Sequence, residues 1–153
     1  MRFLNINIEG PDCSGKTTLF NRLHKETNFK YNIQDRSCIS MYVYAKMYER
    51  KDSSLWFDKI LDDIKRLDTL YIVLLPSEET VIRRLKKRGD EFQDENSILK
   101  VRSYFQNIAK MGFGHFPNVL VLEDKEDLEE KVDICLDFIE EMNEAPSGDL
   151  IKS

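Results

Sequence analysis

The chain has 153 residues, of which 41% are apolar and 33% are charged, and its formal net charge is −5. This length predicts one domain with one hydrophobic core, and no apolar run approaches the roughly 20 residues that a membrane-spanning helix needs. The negative charge argues against broad, nonspecific nucleic-acid binding, which usually needs a clustered basic face. The cysteines, Cys13, Cys38 and Cys135, show no CxxC spacing, so we expect reduced thiols and a cytoplasmic protein.

The first half of the chain predicts two strands and three helices from the spacing of its apolar residues. In chain order these are the strand 2–9, the helix 16–27, the strand 31–35 and the helices 38–50 and 55–67. Ser53 or Ser54 is the expected N-cap of the last helix, because a serine hydroxyl accepts a hydrogen bond from a free amide of the first turn.

The second half contains a continuously apolar segment, Leu70 to Leu75, which ends at Pro76. Such a segment is typical of a strand that is buried on both faces of a parallel sheet. The elements after it are a helix from Ser77 to Gly89, a polar loop at 90–96, a helix at 97–111, a strand at 119–122 and a helix at 127–142. Strands that alternate with helices predict an α/β fold, here as one domain at 1–145 followed by a frayed tail at 146–153.

Residues 10–17 match the phosphate-binding pattern GxxxxGK[ST], the Walker A motif, between a predicted strand and a predicted helix. Gly10 and Gly15 permit a turn in which successive backbone amides face one anion. Lys16 supplies a charge to the β- and γ-phosphates, and the Thr17 hydroxyl is a ligand for Mg²⁺. The motif predicts a three-layer P-loop NTPase sandwich, with a short parallel sheet of about four strands flanked by helices. The expected ATP-binding residues are Gly10, Pro11, Asp12, Cys13, Ser14, Gly15, Lys16, Thr17 and Thr18.

The segment from Glu9 to Thr18 resembles the P-loop of thymidylate kinases, which reads E-G-x-D-x-x-G-K-[ST]-[ST]. In that family the P-loop aspartate accepts a hydrogen bond from the sugar 3′-hydroxyl of the acceptor nucleotide. The resemblance therefore implies that Asp12 binds substrate. The alternative is that Asp12 only shapes the turn, a conformation that suits aspartate.

A second segment, Asp35 to Tyr44, resembles the D-R-x-x-x-S-x-x-x-Y stretch of the same family, with Arg36 and Ser40 in matching places. Asp35 ends a strand beside the P-loop, where a carboxylate can hold Mg²⁺ or orient the attacking oxygen. The planar fork of Arg36 suits the phosphate of the acceptor, and the resemblance adds Ser40 and Tyr44 to the substrate site. The alternative is a surface ion pair of Asp35 and Arg36. Ala45 stands where the family often has a glutamine of base recognition, so the resemblance does not extend to thymine specificity.

The third segment begins at Arg83 and resembles the family's lid, R-x-x-x-R-G followed by acidic residues, with Arg84 and Arg88 at the two arginine positions. Residues four apart share one helix face, so both arginines can face one phosphate. Such cations stabilise the charge of a phosphoryl group during its transfer. The alternative is a solvated basic helix face.

These resemblances imply a compact kinase of the type found in bacteriophages, which transfers phosphate from ATP with Mg²⁺ to a deoxynucleoside monophosphate. Lys16, Asp35, Arg36, Arg84 and Arg88 are the expected catalytic residues, and Thr17 and Asp35 the expected metal ligands. Phage nucleotide metabolism in the host cytoplasm is the implied setting. The chain departs from the family between the P-loop helix and Asp35, where thymidylate kinases carry a further strand.

Two alternative functions and the oligomeric state stay open at this stage. Asp35-Arg36-Ser37 also resembles the E-R-S motif of deoxynucleoside kinases, so the acceptor can instead be a hydroxyl, on a deoxynucleoside or on a hydroxymethylpyrimidine in DNA. A protein that binds the nucleotide without turnover, as a switch, is the non-enzymatic alternative. The apolar face of the helix 55–67 fits core packing and contact between two copies equally well, so a homodimer is a further expectation.

Overall fold

The computed structural model describes residues 4–66, 68–89, 94–110 and 112–144. Within them the chain forms four strands, six α-helices and one turn of 3₁₀ helix at Phe113–His115. The strands are β1 (Asn5–Glu9), β2 (Asn32–Asp35), β3 (Thr69–Leu74) and β4 (Val119–Leu122). The helices are α1 (Lys16–Glu26), α2 (Cys38–Met47), α3 (Ser53–Ile64), α4 (Glu78–Arg88), α5 (Glu95–Lys110) and α6 (Leu128–Glu144).

The four strands form one parallel sheet in the order β2-β1-β3-β4. Ile8 of β1 lies opposite Asp35 on one side and Ile72 on the other. Because all strands run in the same direction, their carboxyl ends meet at one edge of the sheet, where open α/β sheets bind their ligands. The P-loop follows β1 and is therefore held at the middle of that edge. The predicted α/β sandwich with a four-stranded parallel sheet is confirmed.

Two hydrophobic cores cover the two faces of the sheet. Helices α1 and α6 bury side chains such as Leu19, Leu23 and Ile139 against one face. Helices α2, α3 and α5 pack on the other face, where Ile39 and Phe105 are fully buried. Strand β3 is buried at every position because it has covered faces and a neighbouring strand on each side, as its apolar sequence predicts.

Several predicted helix limits were wrong, including the end of α3, which lies at Ile64 rather than at residue 67. Helix α2 ends at Met47 rather than at residue 50, and the left-handed backbone of Glu49 (φ 53°) does not continue a helix. Helix α3 begins at Ser53, so the N-cap position is that of Asp52 and not of Ser53 or Ser54. The side chain of Asp52 caps no backbone amide and instead accepts a hydrogen bond from Trp56 Nε1 (3.0 Å). Helix α5 already includes residues 95–96, which the sequence assigned to a loop, because the carboxylate of Asp94 accepts a hydrogen bond from the amide of Ser97 (2.7 Å). The predicted tail and most of the predicted loop lie outside the described residues.

Helix α3 has both a core face and an exposed apolar face. Ile60 and Ile64 are buried against the sheet, whereas Leu55, Phe57 and Leu61 are exposed. Core packing therefore explains part of the apolar pattern, and contact between two copies of the chain stays a prediction.

The three cysteines all lie in the described residues and form no disulfide bond with one another. Burial raises the pKa of the Cys135 thiol to about 12 and that of the Cys38 thiol to about 11, so both stay protonated at neutral pH. In the part of the chain that is described, no helix is both long and apolar enough to cross a membrane.

Replacing Leu70 by alanine should lower the free energy of unfolding by about 2–5 kcal/mol, because Leu70 is fully buried in β3 and its loss leaves a cavity in the core under α1 and α6. Leu55→Ala is the matched control, since Leu55 is 64% exposed and should change the stability by less than about 0.5 kcal/mol. Urea unfolding of both variants measures the difference. Equal losses would contradict the assigned position of β3.

Candidate active site

The turn from β1 into α1 has the backbone of a phosphate-binding loop. Gly10 and Gly15 have φ angles of 150° and 90°, and Cys13 also lies in the left-handed region at 64°. A Cβ atom on Gly10 would lie 2.5 Å from the carbonyl oxygen of Leu74, so only glycine fits against the end of β3. Alternation of right- and left-handed residues turns successive amides toward one point, which forms an anion-binding concavity.

Lys16, at the start of α1, is only 6% exposed, and its Nζ donates a hydrogen bond to the carbonyl of Pro11 (2.9 Å). Burial is the main cause that lowers the pKa of Lys16, to about 8, and the nearby charge of Arg36 acts in the same direction. The carboxylates of Asp12, Asp35 and Glu9 act against this change. An anion in the loop would favour the charged form of Lys16, so the loop is arranged for a negatively charged ligand.

An open cavity of about 480 Å³ begins at the P-loop and extends to the connection between β4 and α6. Its lining includes both predicted lid arginines. Arg84 reaches the loop directly, because its Nη1 donates a hydrogen bond to the carbonyl of Cys13 (3.0 Å). The remaining lining residues are Cys13, Ser14, Gly15, Thr18, Leu19, Leu74, Glu126, Asp127, Leu128 and Lys131.

Both ends of this cavity carry a buried polar atom that lacks a hydrogen-bond partner among the described residues. At the P-loop end this atom is Ser14 Oγ, and at the far end it is Glu126 Oε2. Asp127, the residue after Glu126, does have a hydrogen-bond partner: its Oδ1 accepts a hydrogen bond from the amide of Glu130 (2.9 Å) in the first turn of α6. Buried polar atoms are costly to leave unpaired, and binding sites are where such atoms are expected.

Asp12 and Arg36, the two predicted acceptor-binding residues, form an ion pair with each other. Arg36 also donates a hydrogen bond from Nη1 to the hydroxyl of Tyr44 (3.1 Å), and its guanidinium lies 5.5 Å from the centre of that ring. The backbone of Arg36 is left-handed, with φ 76°, a strained conformation for a non-glycine residue. Neither Asp12 nor Arg36 lines the cavity, so the cluster of Asp12, Arg36 and Tyr44 is a separate group beside the same loop.

The other predicted site residues differ in their surroundings. Thr17 and Thr18 are exposed at the start of α1, and Asp35 is exposed at the end of β2. Ser40 is only 3% exposed, and its hydroxyl donates a hydrogen bond to Glu9 (2.6 Å), so this side chain is directed into the protein.

Magnesium in kinases is held largely by phosphate oxygens and water, with one or two protein ligands. The exposed hydroxyl of Thr17 and the exposed carboxylate of Asp35, close enough to influence Lys16, fit that limited role. Among the described residues, no group of three acidic, imidazole or thiol side chains could hold a metal by itself. The donor set therefore suits a metal that arrives with a nucleotide.

Glu9 and Glu126 have notable positions but were not among the predicted site residues. Glu9 is fully buried next to Gly10. Its position directly before the phosphate-binding motif is a feature of the sequence that could have identified it. Glu126 lies in a charged segment, where nothing in the pattern separates it from its acidic neighbours.

Comparison with known proteins finds related folds but no related sequences. No protein-family model and no curated protein sequence matches the chain. The deoxyadenosine kinase from M. mycoides with bound dCTP superposes with a TM-score of 0.63 at 16% identity, over 90% of this chain and 99% of that one. The same kinase with bound dATP gives 0.61 at 17% identity, over 90% and 100%. The YorR protein from Bacillus subtilis, in complex with phosphorylated GDP, gives 0.69 at 18% identity, over 93% and 99%.

The chain has the fold of the P-loop nucleoside and nucleotide kinases. The likeness covers nearly all of each chain, and at such low identity it establishes the fold alone. None of these three structures is described as a thymidylate kinase, so that narrower resemblance stays a prediction.

Binding of a nucleoside triphosphate at pH 8 should take up about half a proton, because Lys16 is half deprotonated at its pKa of about 8 and the added phosphates favour its charged form. Calorimetric titrations in two buffers that differ in ionisation enthalpy measure this uptake. Lys16→Ala should abolish the uptake, whereas Lys110→Ala, an exposed lysine of α5, should keep it. Binding without proton uptake in the unmodified protein would contradict the assignment.

Proposed function

We propose that this protein is a phosphotransferase that moves the γ-phosphoryl group of ATP to a deoxynucleoside monophosphate and releases ADP and a deoxynucleoside diphosphate. The observation that carries the proposal is the arrangement around one loop. A cavity with two arginines opens on the P-loop, and a further arginine is paired with Asp12 of the same loop outside that cavity. Such an arrangement offers cations to two separate phosphate groups.

The cavity is the proposed donor site. The amides of the P-loop and Lys16 would hold the triphosphate, while Arg84 and Arg88 approach it from α4. The nucleobase would then reach the connection before α6, where the amino group of adenine can donate a hydrogen bond to Glu126. We assign ATP as the donor on these grounds.

The cluster of Asp12, Arg36 and Tyr44 is the proposed acceptor site. A guanidinium group binds phosphate through two parallel hydrogen bonds, and the hydroxyl of Tyr44 accepts a hydrogen bond that helps to hold the guanidinium of Arg36 in place. Asp12 would accept a hydrogen bond from the sugar hydroxyl, as the resemblance to thymidylate kinases implies. The structural neighbours were solved with dCTP, dATP and phosphorylated GDP, which supports nucleotide ligands for this fold without assigning the acceptor.

In phosphoryl transfer of this kind, a protein contributes mainly by positioning the two substrates and by stabilising negative charge, and it has little covalent chemistry to perform. Thr17 and Asp35 would hold Mg²⁺, which neutralises phosphate charge when it is bound. Asp35 lies at the carboxyl end of β2, beside the loop, where its carboxylate can orient the attacking oxygen. Arg84 and Arg88 would stabilise the charge of the phosphoryl group in transit.

A hydroxyl acceptor, on a deoxynucleoside or on a hydroxymethylpyrimidine in DNA, is the second candidate. Two observations favour it. The charge of Arg36 is already matched by Asp12, which leaves less attraction for an acceptor phosphate. The structural neighbour from M. mycoides is named a deoxyadenosine kinase and was solved with dCMP as a product. The buried, protonated thiols fit the proposed cytoplasmic setting, and phage nucleotide metabolism remains the proposed context.

Replacing Arg36 by alanine distinguishes the two acceptors. If Arg36 binds the acceptor phosphate, the variant should raise the KM for a deoxynucleoside monophosphate by about 10–100-fold, the value of one charged hydrogen-bonded contact. The KM for a deoxynucleoside should change much less. Steady-state assays with both acceptors give the comparison.

Arg66→Ala serves as the control, because Arg66 is exposed and its ion pair among the described residues is with Asp68, beyond the opposite end of β3. It should leave both constants unchanged. Equal losses for both acceptors in Arg36→Ala would rule out the phosphate contact and support the hydroxyl acceptor.

A further inference from the structure

Glu9 is a fully buried acid at the junction of β1 and the P-loop. It pairs with Val73 of β3 in the sheet, and the next residue is Gly10. No lysine, arginine or histidine among the described residues forms an ion pair with it. Burial raises the pKa of Glu9, and the hydrogen bonds that it accepts act against this rise. A buried carboxylate without a cation calls for a reason.

Among the described residues, the hydrogen bonds that the Glu9 carboxylate accepts come from Ser37, the N-cap residue of α2, and from Ser40 in its first turn. Oε2 accepts from the amide of Ser40 (2.7 Å) and from the hydroxyl of Ser37 (3.2 Å), and Oε1 accepts from the hydroxyl of Ser40 (2.6 Å). Ser37 occupies the N-cap position but makes no capping hydrogen bond with its own side chain. Glu9, at the end of strand β1, therefore caps α2 with its side chain, and its negative charge faces the positive end of that helix.

Arg36 lies directly before this capped turn. Its amide donates a hydrogen bond to the carbonyl of Ile8 (2.9 Å), the residue before Glu9. Its backbone is in the strained left-handed region, a conformation that persists only when the surrounding contacts hold it. The Ile8 carbonyl holds Arg36 on one side, and the Glu9 cap holds the helix that follows on the other.

We propose that Glu9 is a positioning residue that fixes the first turn of α2 to the end of β1, and thereby sets the place of Arg36 relative to the phosphate loop. Glu9 acts through Arg36 and does not touch either nucleotide. This inference rests on the proposed role of Arg36 at the acceptor. It makes one buried carboxylate the link between the donor loop and the acceptor arginine.

Glu9→Gln keeps the size of the side chain but removes the negative charge that faces the positive end of α2, and it replaces one acceptor oxygen by an amide nitrogen. We expect the KM for the acceptor to rise about 10-fold or more, because small misplacements of a binding group have large effects. The dissociation constant of a fluorescent ATP analogue should change by less than about 2-fold, since the loop backbone and Lys16 stay in place. Ser40→Ala breaks the same contact from the other side and should show the same pattern more weakly. Glu141→Gln, an exposed glutamate of α6, is the matched control and should change neither value.

A double variant separates positioning from general loss of structure. In an Arg36→Ala background, Glu9→Gln should raise the acceptor KM no further, because its effect passes through Arg36. If Glu9 merely stabilises the fold, donor and acceptor binding would fall together and the two substitutions would add. Either result overturns the proposal.

Hydrogen exchange tests the same idea without turnover. In Glu9→Gln the amides from Arg36 to Met41 should exchange faster, by about 10-fold, while those of the distant helix α6 should not change. Unchanged exchange in that segment overturns the inference about Glu9. An unchanged acceptor KM in Arg36→Ala alone would instead contradict the proposed acceptor site, so the two failures can be told apart.

Discussion

The close contact between Gly10 and the end of β3 is the constraint on which the rest of the site depends. A side chain at this position would collide with the Leu74 carbonyl, so the loop can leave β1 only over a glycine. That exit places Lys16 in a buried position at the start of α1 and directs the amides of the loop toward one point. Glu9, the residue before this turn, contacts the first turn of α2. A single backbone turn thus positions the groups proposed to bind donor and acceptor.

The charges near this turn are arranged so that a bound nucleotide would complete them. Lys16 has a lowered pKa because it is buried near Arg36, and Arg84 is bonded to a loop carbonyl rather than to an acid. At the proposed acceptor site, Arg36 is paired with Asp12, so an incoming phosphate would have to compete with that carboxylate. The phosphates of a bound donor would offset the free-energy cost of burying the charge of Lys16. The phosphate of an acceptor, in contrast, would have to replace the contact between Arg36 and Asp12. This asymmetry makes the donor site the better defined of the two.

Local patterns in the sequence were sufficient for much of the fold and for the P-loop. The apolar run of β3 predicted burial on both faces, and the Walker A residues predicted the turn, because both depend on neighbours along the chain. Contacts between distant residues were beyond such patterns. The pairing of Asp12 with Arg36, and the use of Ser40 to bind Glu9 rather than to face a ligand, arise only when β1 and β2 lie side by side. The early end of α2 at Met47 likewise reflects a left-handed residue that its composition does not reveal.

The most direct test of the central claim is the transfer of label from γ-labelled ATP. The protein would be incubated with Mg²⁺ and separately with the deoxynucleoside monophosphates, with deoxynucleosides and with single-stranded DNA that contains 5-hydroxymethylpyrimidines. The account predicts label in a deoxynucleoside diphosphate. Label only in a deoxynucleoside product or in DNA would contradict the proposed acceptor, and triphosphate binding without transfer to any of them would contradict the proposed kinase activity itself.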